Sequence, residues 1–315
     1  MSEQNPPKKH HYIPAFYTKR WAGADNKVMV FSKPYNEVTD RRRHPDATGF
    51  QLNLYGLRGS DKGEEIEGSF FKPVDNYAHE ALERLESNQN LAEWPREIRS
   101  NWTRFIISLL FRCPADLEIL RERWSQDFTK TDDELEEKYA AIRKDGYPET
   151  LSKFLSEMPK LSVEQSMFSI YQSMIDNENV GRFINSMQWC VIDTSSSNLQ
   201  LFTSDCPVFR TNGLNHPNSH LAMPIGPHRL FLAANSREVI QRALKTSPRV
   251  LVMNTNRAVV RSARLYVFAK SASVSEYNFV SKQFGIAPQK RLLEDMFDKR
   301  KFVPSKQTLE GQHRR

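Results

Sequence analysis

The chain has 315 residues, 39% of them hydrophobic and 26% charged, with 19 Phe, 10 Tyr and 5 Trp. That is enough apolar material for one large domain or two ordinary ones, and it excludes wholesale disorder, a collagenous or coiled-coil repeat and a low-complexity protein. The net charge of +7 is unevenly spread: residues 51–150 are acidic, with 14 basic against 21 acidic side chains, while both ends and the C-terminal half are basic.

Residues 1–9 read as a polar, basic arm with Pro6-Pro7 and no apolar leader. Lys27 to Phe31 alternates as a strand does. Arg41-Arg42-Arg43-His44-Pro45 reads as a basic loop, with Pro45 blocking continuation as a helix. Leu52 to Leu57 reads as a second short strand. From Glu64 the apolar period changes toward 3.6: Ile66, Phe70, Val74, Ala78, Ala81, Leu82 and Leu85 share a helical face, with Pro73 expected to kink or divide it. Trp94-Pro95 opens a helix whose stripe is Ile98, Trp102, Phe105, Ile106, Leu109 and Leu110. Leu117 to Phe128 continues in helical period. Asp132-Asp133-Glu134 starts a surface helix to Lys144, and residues 151–186 add more helix.

At Met187 the period returns to 2. Trp189 to Ile192 and Leu199 to Thr203 read as a hairpin around Ser195–Asn198. Leu221 to Pro224, Arg229 to Ala234 and Leu265 to Phe268 are further strands. Arg237 to Leu244 is a short helix, and Val250 to Asn254 fits either a helix or a strand. The tail from Lys290 is basic and polar and is expected to fray.

The architecture this implies is α+β. A mixed or antiparallel sheet joins the N-terminal strands to those after residue 187, and a helical insert spans 64–186. The domain covers 10–289, flanked by the arm (1–9) and a basic tail (290–315). Cys113, Cys190 and Cys206 form no CxxC pair and suggest neither a disulfide framework nor a Cys-based zinc site, which points to a reduced, cytoplasmic protein. The run Phe105 to Phe111 is far shorter than the ~20 residues of a membrane span, so no membrane partner is expected.

Four constellations carry chemistry-bearing residues. His10-His11-Tyr12-Ile13-Pro14 is followed by Phe16-Tyr17 and Trp21. Adjacent histidines on a strand face opposite ways, so both cannot easily ligate one metal; one of them fits a base, a ligand or a buried structural residue. Thr203-Ser204-Asp205-Cys206-Pro207 sits where a strand ends, and is good turn chemistry as well as a place for a base or orienting acid. Arg112, between Phe111 and Pro114, needs an acidic partner if buried; Asp205 and Glu67 are candidates, and the guanidinium also suits a phosphate or carboxylate. Asn254 lies near Arg261 and Arg264. No Walker-type loop, GxGxxG, HExxH or GxSxG is present.

In combination these stretches resemble an uncharacterised, mostly bacterial family, the domain of unknown function numbered 4238. The resemblance rests on the His11-Tyr12-Ile13-Pro14 opening with Phe16-Tyr17 and Trp21, the helix ending Arg112-x-Pro114, Thr203-Ser204-Asp205-x-Pro207, and the Asn254 segment leading to Tyr266-Val267. It covers roughly residues 8–270. His10 and Cys206 depart from the family's usual Gln and Asn. The resemblance names no reaction, but it groups these residues into one shared site: His11, Asp205 and Ser204 as catalytic candidates, and Arg112, Asn254 and Tyr12 as ligand contacts. The same residues equally suit a buried network holding the N-terminal segment onto the sheet. His11 is expected within one hydrogen bond or one bridging water of Asp205 or Ser204, with Arg112 nearby.

Two functional readings follow. One is a hydrolase-like protein acting on nucleic acid or a phosphorylated ligand, the basic ends attracting the polyanion. The other is a non-catalytic module that binds nucleic acid or protein, as in a bacterial defence or stress system. The sequence assigns no metal or cofactor and no oligomeric state.

Overall fold

The computed structural model describes residues 9–56, 66–87 and 94–299; the N-terminal arm up to Lys8 and the tail beyond Lys299 lie outside them. In chain order the elements begin with β1 (Lys9–His11) and α1 (Ala15–Thr18), the latter continuing into a 3₁₀ turn at Lys19–Trp21. Next come β2 (Val28–Ser32), β3 (Thr39–Arg43) and β4 (Phe50–Leu52). A π-helical segment, Ile66–Phe71, runs into α2 (Lys72–Glu86). Six more helices follow: α3 (Arg96–Phe111), α4 (Pro114–Asp127), α5 (Asp133–Ile142), α6 (Leu151–Glu157), α7 (Lys160–Ile175) and α8 (Glu178–Ser186). The C-terminal part comprises β5 (Gln188–Asp193), β6 (Thr203–Ser204), β7 (Phe209–Thr211), β8 (His220–Gly226), β9 (Arg229–Ala234), α9 (Arg237–Lys245), α10 (Pro248–Ser262), β10 (Tyr266–Ala269), α11 (Val274–Gln283) and α12 (Leu292–Lys299).

The fold is α+β, with antiparallel sheets and a helical centre. The strands do not merge into one sheet. β1 and β4 form a ribbon, pairing His11 with Phe50. A second sheet has the order β3-β2-β10-β6, so two N-terminal strands do join the C-terminal half. A third has the order β5-β9-β8-β7 and is built from C-terminal strands alone. The expected hairpin across Ser195–Asn198 does not form: β5 pairs with β9, and the short β6 pairs with β10. Local period identifies a strand but not its partner, which is chosen by side chains far away in sequence.

Other elements differ in detail. Arg41 to Arg43 is strand rather than loop, the exposed edge of the second sheet. The second short strand ends at Leu52, where Asn53 turns the chain with a positive φ of 52°. Pro73 stands in the first turn of α2, where the π-helical segment gives way to α-helix, so the helical stretch is divided there. Val250 to Asn254 is helical. The tail is not frayed at its start: Leu293 on α12 is fully buried.

The helical centre packs on the third sheet through aromatic contacts. Trp102 of α3 meets Phe231 edge-on at 5.7 Å, and the Arg99 guanidinium lies 3.8 Å over the Trp189 ring. The opening signature is a buried plug between the layers. Tyr17 donates to the Pro224 carbonyl at 2.7 Å, so its hydroxyl accepts from Thr203 at 2.5 Å; Trp21 donates to the Leu201 carbonyl at 2.7 Å. These long-range bonds fasten α1 to both sheets. Among the described residues no helix is long and apolar enough to cross a membrane.

Candidate functional site

Two polar clusters meet where the N-terminal segment crosses the start of the helical layer, and adjacent residues serve one each. His11 and Arg112 belong to the first, Tyr12 and Cys113 to the second.

The first cluster is centred on Arg112, which caps α3 and is fully buried. Its two terminal nitrogens donate to both oxygens of Asp75 on α2, at 2.7 and 3.1 Å. Its guanidinium carbon lies 4.3 Å over the Phe71 ring, and Phe71 stacks on Tyr55 at 4.7 Å. Glu67 comes from the π-helical segment, a widened turn common at functional sites, and its carboxylate accepts from the His11 backbone amide. β1 sends its two histidines to opposite faces as its pleat requires. His10 accepts the Tyr55 amide at 3.0 Å, while His11 turns toward Asp46, Asp75 and Arg112.

Among the described residues, two polar atoms in this cluster are buried without a hydrogen-bond partner, His11 Nε2 and Glu67 Oε2, while the Tyr55 hydroxyl lies beside the Arg112 guanidinium. Buried polar atoms are seldom left unpaired, because each forfeits its hydration. The charges here are tuned as well. Burial pushes Glu67 up to about 7, reinforced by Asp75 and opposed by Arg112. Burial lowers His11, with Asp46 and Asp75 opposing, so the imidazole is neutral near pH 7. Burial works against the Arg112 charge, but Asp75, Tyr55 and Glu67 outweigh it and keep the guanidinium protonated. The cluster thus holds a fixed ion pair, a carboxyl that titrates near neutrality and a neutral imidazole.

The second cluster contains Asp205 and Ser204, both buried. Asp205 accepts from the Arg264 amide at 2.9 Å and the Leu265 amide at 2.7 Å, and Ser204 Oγ accepts the Cys206 amide at 3.1 Å. These bonds close the turn after β6 and hold the entry to β10. Ligand atoms of Cys113, Asp205 and Cys206 lie within 4.8 Å of one another. Arg291 donates to Cys206 Sγ at 3.0 Å and, through Nε, to Asp116 at 2.7 Å; a further contact joins the same pair. The Tyr12 hydroxyl is buried without a partner, and its electrostatic neighbours are Asp205, Tyr266, Cys113 and Cys206.

The expected His11–Asp205 contact is therefore absent, and Tyr12 occupies the side facing Asp205. Tyr12 follows β1 in a bend, where the chain turns its ring toward the second cluster. Arg112 is near His11 as expected, but its partner is Asp75, and its terminal nitrogens are committed to that carboxylate rather than open to a phosphate. Asn254 is exposed on α10 and joins neither cluster. Two residues on, Asn256 does the holding: it accepts from the Phe202 amide and donates to the Gln200 carbonyl, both at 2.8 Å. Glu67 lay outside the candidate site residues but had a signal, as a carboxylate weighed as a partner for Arg112, beside which it stands. Asp75 and Tyr55 carried none, since an acidic residue in a first helical turn and a tyrosine before a glycine are ordinary.

A family model described as a protein of unknown function (DUF4238) matches residues 9–273. The chain belongs to this family. Neither the curated proteins nor the solved structures yielded a match. The span matched to DUF4238 contains all of the first cluster, and Tyr12, Cys113, Asp205 and Cys206 of the second; Arg291 lies beyond it.

Proposed function

We propose that this DUF4238 protein is a hydrolase acting on a phosphodiester polyanion, with its acid–base centre at Glu67 and His11. One observation carries the reading: Glu67 and His11 each leave a buried polar atom unbonded beside a fixed Arg112–Asp75 pair. Glu67, half ionised near pH 7, is suited to take a proton from an attacking water. The neutral His11 ring offers Nε2 to that water or to the substrate. Arg112 and Asp75 tie α3 to α2, which continues from the segment carrying Glu67, and set the local charge. The polyanion part of the proposal is supported by the exposed Arg41 and Arg43 on the edge strand β3, which leads within three residues to Asp46 beside His11. Three free cysteines suit a reducing compartment such as the cytoplasm.

The test uses fluorescent single-stranded DNA and RNA oligonucleotides and bis(p-nitrophenyl) phosphate. The wild-type chain is expected to cleave at least one, and Glu67→Gln to lower the rate by about 10²–10⁴-fold with the melting temperature preserved. Retention of the oligonucleotides should weaken steeply between low and high salt, as counterion release requires. No cleavage and no low-salt retention by the wild type would reject the proposal.

A further inference from the structure

The second cluster takes no part in that chemistry, and it has the composition of a metal site. We propose that Cys113, Cys206 and Asp205 bind one thiophilic divalent cation, zinc being the closest fit, and that Tyr12 completes the site.

Four observations support this. First, the donor set is two thiols and a carboxylate, with ligand atoms within 4.8 Å of one another. Tetrahedral zinc with Zn–S near 2.3 Å and Zn–O near 2.1 Å places ligand atoms roughly 3.5–3.8 Å apart, so a contraction of about an ångström closes the site. Second, the Tyr12 hydroxyl is buried, unpartnered and beside all three ligands. Tyr12 is 1% exposed, so no solvent satisfies that hydroxyl; it is placed to fill a fourth position or to hydrogen-bond a ligand atom. Third, Asp205 is already oriented. Each of its oxygens accepts one backbone amide, which leaves lone pairs free and fixes the carboxylate, as outer contacts do in metal centres. Fourth, Arg291 donates to Cys206 Sγ, a contact that stabilises a metal-bound thiolate.

Binding expels two thiol protons: M²⁺ joins two thiolates and one carboxylate to give a centre of charge −1. Arg291 faces that charge, while Asp116 neutralises Arg291 toward the rest of the core. The site ties together three segments far apart in sequence, at Tyr12, Cys113 and Asp205-Cys206, so its role is structural: a clamp between the helical layer and the second sheet.

Cobalt(II) is the probe. It is added to the reduced full-length chain after removal of metal by chelator, and the near-ultraviolet thiolate-to-cobalt band is recorded. A one-equivalent band is expected, displaced by zinc. Cys113→Ser and Cys206→Ser should each weaken cobalt binding at least 100-fold, and Tyr12→Phe about 10-fold. Cys190→Ser should leave the band unchanged, because Cys190 lies apart on β5. If either core variant fails to fold, the Cys190→Ser protein still decides the matter, since its two remaining thiols are Cys113 and Cys206. No thiolate band in the reduced wild type, or a band lost in Cys190→Ser, would overturn the proposal.

Discussion

Both terminal nitrogens of Arg112 donate to Asp75, so the most deeply buried cation of the helical layer is neutralised by the chain itself. An ion pair in this setting is weak as a source of stability but costly to break. Asp75→Ala leaves the guanidinium unpaired and is expected to cost about 3–5 kcal/mol in urea unfolding. The double variant Arg112→Met with Asp75→Leu should cost far less than the two single changes together, because no charge is left stranded. Additive losses would show that the two residues act independently.

Asp205 closes a turn with two buried amide donors and has no contact with His11. Asp205→Ala is expected to lower stability by about 1–3 kcal/mol for each amide left unpaired. The imidazole titration of His11, followed by NMR in the conservative Asp205→Asn variant, should match that of the wild type. A clear shift in its midpoint would place Asp205 back beside His11.

Glu67 makes stability depend on pH in a distinctive sense. It keeps its proton to about pH 7 in the folded chain, against an ordinary value of 4.5. Its contribution is therefore largest below pH 4.5 and is lost as pH rises through 7, up to roughly 3 kcal/mol. His11 runs the other way: its folded value lies below 6.5, so its contribution is present above 6.5 and lost as pH falls through that lowered value. Subtracting the stability curve of Glu67→Gln from that of the wild type isolates the carboxyl. The difference should fall between about pH 4.5 and 7; a flat or rising difference contradicts the assignment.

Arg291 fastens the start of α12 to Asp116 on α4. Arg291→Ala strands a buried carboxylate and is expected to cost about 3–5 kcal/mol. Amide exchange in 292–299 should accelerate more than in β8 and β9. Equal protection in the variant and the wild type would mean that Leu293 alone docks the helix.

The parts of the fold written in local period were legible in the sequence. The apolar stripe of α3, the apolar runs of β5, β9 and β10 and the change of period near Glu64 and Met187 all correspond to observed elements. Strand partners were not legible. β6 has only two residues and no period, and its place beside β10 depends on Asn256 gripping Gln200 and Phe202. For the site, the His11 and Arg112 neighbourhood was legible because unusual residues sit beside prolines. Asp75 was not, since an acid in a first helical turn usually answers the helix dipole. Arg291 lies in a polar stretch that reads as solvent-exposed until Asp116 is seen opposite it.

The proposed chemistry depends on Glu67 as an acid–base group poised near neutrality. Its side-chain carboxyl can be followed by ¹³C NMR from pH 4 to 9, assigned by the resonance missing in Glu67→Gln. A midpoint near 7 is the predicted result, and a midpoint near the ordinary 4.5 would contradict it.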